Sequence, residues 1–227
     1  MAKGRCTPMN DDKGTGRYGV VLVLVATSLI FQMAVEGAGV VRWITIALQA
    51  LTLVAAVRAA HPARRGLKVA AAVATIVAIG SLAVLVINGE IPAGATAIVS
   101  GLLVAVAPAV LVGGLVREVR DEGTVTIRTL AGGLSIYLLI GMLFAFVYGS
   151  IEGLADGALF VQVDNATPAD RLYFSFVTLT TVGYGDLTLA SDLSRSFAVA
   201  EMLIGQIYLV TVVAVIVANL GRPRQPT

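Results

Sequence analysis

The chain has 227 residues, of which 57% are hydrophobic and only 13% charged, with a formal net charge of +2. Soluble globular proteins carry roughly a quarter of their residues as charged groups, so this composition excludes an ordinary soluble fold. The small net charge gives no basic surface for nucleic acid, and Cys6, the only cysteine, excludes an intrachain disulfide.

A membrane helix takes about 20 apolar residues, and the hydropathy allows six. Residues 1–17 are polar and read as a cytoplasmic tail without a cleavable signal. The first span is 18–35, closed by Glu36-Gly37; the second is 40–57, with Arg42 near its start and Trp43 as an interface anchor. A basic hinge follows, with Arg58, Arg64, Arg65 and Lys68 around His61-Pro62. The third span is 69–87. Pro92 opens the fourth, which reaches 116 with Pro108 as an expected kink. Residues 117–128 form a charged linker that could lie on anionic membrane lipid or be a plain solvated connector. The fifth span is 130–148, the sixth 197–220, and 221–227 a short tail, leaving no room for a C-terminal ligand domain.

Orientation follows from charge. The N-terminal tail, the hinge, the linker and the C-terminal tail hold thirteen of the sixteen Lys and Arg; Arg42, Arg171 and Arg195 fall on the other side. Basic residues stay inside, so both termini are expected in the cytoplasm and the loop with Glu152, Asp156, Asp164 and Asp170 outside. Such a loop either enriches cations at a mouth or is merely solvated. The predominance of arginine over lysine, with abundant alanine, valine and glycine, reads as a GC-rich bacterial genome.

Between the fifth and sixth spans the sequence changes character. Thr167-Pro168-Ala169-Asp170 is a helix start: a capping hydroxyl, proline in the first turn and an acid three residues after the cap. The helix it opens, to about Thr180, is too short to span and would re-enter from outside. Its C-terminal, negative dipole end would point toward the membrane centre and favour a cation. Directly after it comes Thr181-Val182-Gly183-Tyr184-Gly185-Asp186, where two glycines permit positive φ at alternate positions. Such a backbone turns successive carbonyls to one side, and four such ladders around an axis could replace the water shell of a potassium ion.

Residues 130–220 thereby resemble the pore-loop potassium-channel family. The resemblance implies an all-α, polytopic homotetramer: six transmembrane helices per chain, with a re-entrant pore helix and filter loop, in the bacterial inner membrane. It implies that Thr181, Val182, Gly183 and Tyr184 coordinate K+ through main-chain carbonyls and the threonine hydroxyl, with Gly185 completing the filter. Tyr173 and Phe174 match aromatic residues that brace the filter, beside Thr180, and Asp186 matches the acid that ties its outer end to that brace. Gly205 matches an inner-helix glycine at which relatives bend, or is a close-packing contact. Arg195 coincides with a basic residue at the top of the inner helix in some relatives, or anchors the interface.

Departures matter too. Leu189 stands where many relatives have proline, so the outer turn is expected to be less fixed. Val177 replaces a pore-helix acid of some bacterial relatives, and Val212-Val213-Ala214 a proline pair of many voltage-gated ones. Glu201 is an ionisable residue inside the sixth span, hence either functional or snorkelling outward. No Lys or Arg lies between Lys68 and Arg117. Gating charges are worth about 2.3 kcal/mol each per 100 mV, so residues 18–116 are expected to form a periphery without a voltage sensor, with Gly80, Ser81, Gly101, Gly113 and Gly114 allowing close packing. The leading expectation is passive K+ conduction without enzyme chemistry or organic cofactor, the partners being three identical subunits and lipid. A potassium-transporter subunit and a nonselective cation channel are the alternatives.

Overall fold

The computed structural model describes residues 12–35, 40–60, 72, 93–122, 127–154 and 157–219. Six helices are described: α1 (Asp12–Ala34), α2 (Val40–Ala60), α3 (Ala93–Glu122), α4 (Ile127–Leu154), α5 (Pro168–Leu179) and α6 (Asp192–Asn219). All but α5 are long and apolar enough to cross a membrane, over residues 17–34, 43–60, 100–118, 129–154 and 192–212. The expected third span at 69–87, the hinge from residue 61 onward and the tail at 221–227 lie outside the described residues.

The helices overrun the expected spans for a simple reason: hydropathy marks the apolar stretch, whereas hydrogen bonding continues into polar turns. The bounds of the expected linker shift in this way. Arg117 and Arg120 lie within α3 and Arg128 within the first turn of α4, so much of the segment is helix. Pro108 lies inside α3 without ending it.

Within the apolar helices, hydroxyls bond to their own backbone one turn back: Thr45 to the Val41 carbonyl, Thr52 to Leu48, Ser135 to Ala131 and Ser150 to Phe146. This lets polar side chains enter a medium that offers no water. α1, α2, α3 and α4 then pack around one core, with Val21, Val25, Leu53, Leu103, Leu111 and Leu139 fully or almost fully buried. α1 and α3 pack against α4, and α1 also reaches α5. A second core, formed by Phe144, Tyr148, Ile151, Phe160, Leu189 and Ala198, ties the ends of α4 and α6 to the loops between them.

At Gly114, α3 passes close against α2. A Cβ there would lie 2.5 Å from Ala60 Cβ and 2.6 Å from its Cα, so backbone would have to move. Gly114→Val is therefore expected to destabilise the bundle by about 1–3 kcal/mol, the usual cost of overpacking. A lower thermal unfolding midpoint in detergent checks this.

Candidate functional site: the short helix and the segment it carries

α5 has 12 residues, about 18 Å at 1.5 Å per residue, far short of the ~30 Å hydrocarbon layer. Its start is the expected capping box. The Asp170 amide donates to Thr167 Oγ1 at 3.1 Å, and the Thr167 amide donates to Asp170 Oδ2 at 2.9 Å. Arg171 adds a clamp, donating to Glu152 Oε2 at 2.6 Å and to the Ala166 carbonyl at 2.6 Å. Glu152 Oε1 in turn accepts from the Ala166 amide. Two of the four loop acids are thus engaged in fixing this helix: Glu152 is ion-paired and Asp170 caps. Asp164 is exposed, and Asp156 lies outside the described residues.

The segment after α5 hangs from the helix end. The amides of Val182 and Gly183 both donate to the Val177 carbonyl, at 3.0 and 3.3 Å, and the Thr181 amide donates to the Thr178 carbonyl. Thr180 Oγ1 donates to the Phe176 carbonyl at 2.6 Å, so Thr180 supports the turn into the segment. Positive φ then recurs at every second residue: 59° at Thr181, 54° at Gly183 and 78° at Gly185. The alternation expected from the glycines therefore includes a threonine, a position where positive φ is uncommon. Thr181 through Asp186 are exposed, and a Cβ on Gly183 or Gly185 would meet no atom within 4 Å.

At the outer end the Tyr173 hydroxyl donates to Asp186 Oδ2 at 2.7 Å, so the expected pair of brace and acid is brought together. That hydrogen bond, with a contribution from burial, pushes the Tyr173 phenol up to about 12. Phe174 faces elsewhere: its ring packs 5.2 Å from Phe160 and 5.3 Å edge-on from Tyr148. On a helix, neighbouring residues point to different faces, so the two adjacent aromatics serve different ends.

The outer turn is corrected as well. Proline is absent at Leu189, yet the turn is held. Phe160 and Leu189 form an antiparallel bridge, with Val161 donating to the Thr188 carbonyl and Ala190 to Leu159. Gln162 grips Thr188 twice, donating to its hydroxyl at 2.8 Å and accepting from its amide at 2.9 Å. Arg195 Nε donates to the Leu189 carbonyl, and its guanidinium pairs with Asp192 at 3.3 Å, which gives it a local role beyond that of an interface anchor.

Behind the segment, Gly205 lets α6 touch the end of α5. A Cβ there would lie 2.7 Å from both the carbonyl oxygen and Cδ1 of Leu179. The close-packing reading of Gly205 is thus realised, and α6 passes through it without a break. The same Leu179 carbonyl accepts from the Tyr137 hydroxyl at 3.2 Å. Glu201 does not snorkel. It is fully buried, accepts from Tyr148 at 2.6 Å and lies against the Ser175 hydroxyl. Sequence reading missed Tyr137, Tyr148, Gln162 and Ser175, whose partners lie 26 to 53 residues away with no shared motif.

Known proteins place this module. Residues 129–222 match the family model described as "Ion channel". The chain is 35% identical over 95 residues to the voltage-gated delayed rectifier potassium channel KCNH1 of Rattus norvegicus, covering 42% of this chain and 10% of that one. It is 30% identical over 95 residues to the KCNH5 channel of Homo sapiens, covering 42% of this chain and 9% of that one. It is also 34% identical over 106 residues to two pore potassium channel a of Oryza sativa subsp. japonica, covering 46% of this chain and 27% of that one. Residues 129–222 thus match an ion-channel family model, and the chain is similar over part of its length to potassium channels. With its five long apolar helices, the chain is a multi-pass membrane protein. The family and these relatives are channels and not enzymes. The match spans about a tenth of the KCNH relatives and about a quarter of the rice protein.

The Arg171 clamp yields a stability prediction. The Arg171 and Glu152 side chains are only 18% and 19% exposed, so Arg171→Met would strand a largely buried carboxylate. The expected cost is about 1–3 kcal/mol, read as a lower thermal midpoint and regained in part by adding Glu152→Gln.

Proposed function

We propose that the chain is one subunit of a potassium-selective channel that conducts K+ passively through a filter of four copies of residues 181–185. The observation that carries this reading is the alternation of positive φ at Thr181, Gly183 and Gly185, in an exposed segment directly after a capped, non-spanning helix. Alternating carbonyls of Thr181, Val182, Gly183 and Tyr184, with the Thr181 hydroxyl, would coordinate dehydrated K+, as in carbonyl-lined filters generally. The K+-channel homologues point to the same ion.

What one chain leaves uncovered supports assembly with three identical subunits. Residues 181–186 are exposed, and only 17% of the apolar window of α6 is buried. Irregular backbone at membrane depth must be buried by protein or line a water-filled path, and four chains around one axis meet both conditions, with lipid outside. Both termini are assigned to the cytoplasm of a bacterial cell membrane on the basic-residue bias. Bending of α6 at Gly205 would have to open its contact with Leu179, so any gating there is coupled to the end of α5.

Liposomes containing the purified protein should show unitary currents whose reversal tracks the K+ gradient; saturable coupled uptake, or equal Na+ and K+ permeability, would overturn the reading. Gly183→Ala should abolish selective conduction. The added methyl has room, so the effect comes from the φ of 54°, which L residues occupy at about 1–2 kcal/mol cost. Replacing Arg117 and Arg120 with glutamine should leave the slope of any voltage dependence unchanged, because residues 69–116 contain no basic residue.

A further inference from the structure

Glu201 is fully buried in α6, and its carboxyl meets a hydroxyl from each of two other helices. Tyr148 of α4 donates to Oε2 at 2.6 Å, and Ser175 of α5 lies against Oε1. Ser175 Oγ also lies 2.7 Å from the Gly141 carbonyl of α4. A serine hydroxyl has a single proton, and here it faces two acceptors. A proton on Glu201 Oε1 resolves the count. The carboxyl donates to Ser175, Ser175 donates to Gly141, Tyr148 donates to the other carboxyl oxygen, and no hydrogen is left without an acceptor.

The surroundings favour that state. A buried carboxylate needs a partner charge or several donors, and among the described residues no Lys or Arg pairs with Glu201. Arg171 of α5 is engaged with Glu152 and Arg195 of α6 with Asp192. Tyr148 and the more distant Tyr137, both from α4, are the titratable groups that face it, and α5 contributes only the Ser175 hydroxyl. Ser175 stands two residues before Val177, whose carbonyl receives the first amides of the filter segment. A shift of Ser175 is thus passed directly to the segment.

We propose that Glu201 is a positioning residue whose neutral carboxyl completes a relay from Tyr148 through Ser175 to Gly141, locking α5 between α4 and α6, and that loss of its proton breaks the relay and lowers conduction. The conduction part rests on the function proposed above; the relay does not. The carboxyl touches no permeating ion and acts through the pore helix.

The full-length protein in liposomes provides the test, with Glu201→Gln keeping one donor and one acceptor and Glu201→Met keeping volume without the relay. Infrared spectra should show a protonated-carboxyl C=O band in the wild type that Glu201→Gln lacks. Wild-type conduction should fall as pH rises through the alkaline range, whereas Glu201→Gln should keep its K+ over Na+ preference to within about twofold and give a flat pH profile. Glu201→Met should lose about tenfold in that preference, the scale of one lost hydrogen bond in a network, while still assembling. Absence of the band, a selective Met variant, or a Gln variant that assembles but does not select would each overturn the proposal. A wild type that fails to conduct K+ refutes the proposed function, and the infrared band then decides the relay alone.

Discussion

Irregular backbone inside a hydrocarbon layer must find partners for its amides and carbonyls or face water. Residues 180–186 meet that constraint through the last turn of α5, where the Val177, Thr178 and Phe176 carbonyls receive the first amides of the segment. Carbonyls at a helix C-terminus have no partner within the helix. Here they become the fixture on which the segment hangs, and the carbonyls of 181–185 accept no backbone hydrogen bond from the described residues. Whatever fixes α5 therefore fixes the segment.

The remainder of the module supplies that fixing from every side. The capping box and the Arg171–Glu152 pair hold the start of α5 to the end of α4. Tyr137 from α4 and Gly205 of α6 meet its last carbonyl region. Glu201 and Tyr148 grip its middle, and Tyr173 carries the outer end of the segment through Asp186. Several of these contacts are polar and dry, a setting in which a satisfied network is stiff and a broken one costly.

Helices α1, α2 and α3 contribute differently. Their core with α4 is mainly aliphatic, and buried polar groups there include Gln32, bonded to Ser28, and Gln49, whose side-chain amide atoms find no partner among the described residues. α3 carries no basic residue before Arg117. The bundle packs on its own chain's α4, with α1 also reaching α5. Its physical contribution is to bury one face of α4.

Local order was legible in the sequence because it depends on neighbours in the chain. The cap at Thr167, the shortness of α5, the glycine alternation at 183 and 185, the long apolar helices and the missing sensor charges are all statements about residues a few positions apart. Tertiary structure alone decided the long-range choices. It assigned Glu201 to an interior network in place of the membrane interface, split Tyr173 and Phe174 between two tasks, and held the outer turn at Leu189 by pairing with Phe160 in place of proline. Each of these depends on which side chain meets which across tens of residues. Periodicity and propensity carry no information about that encounter, because it is set by the packing of whole helices.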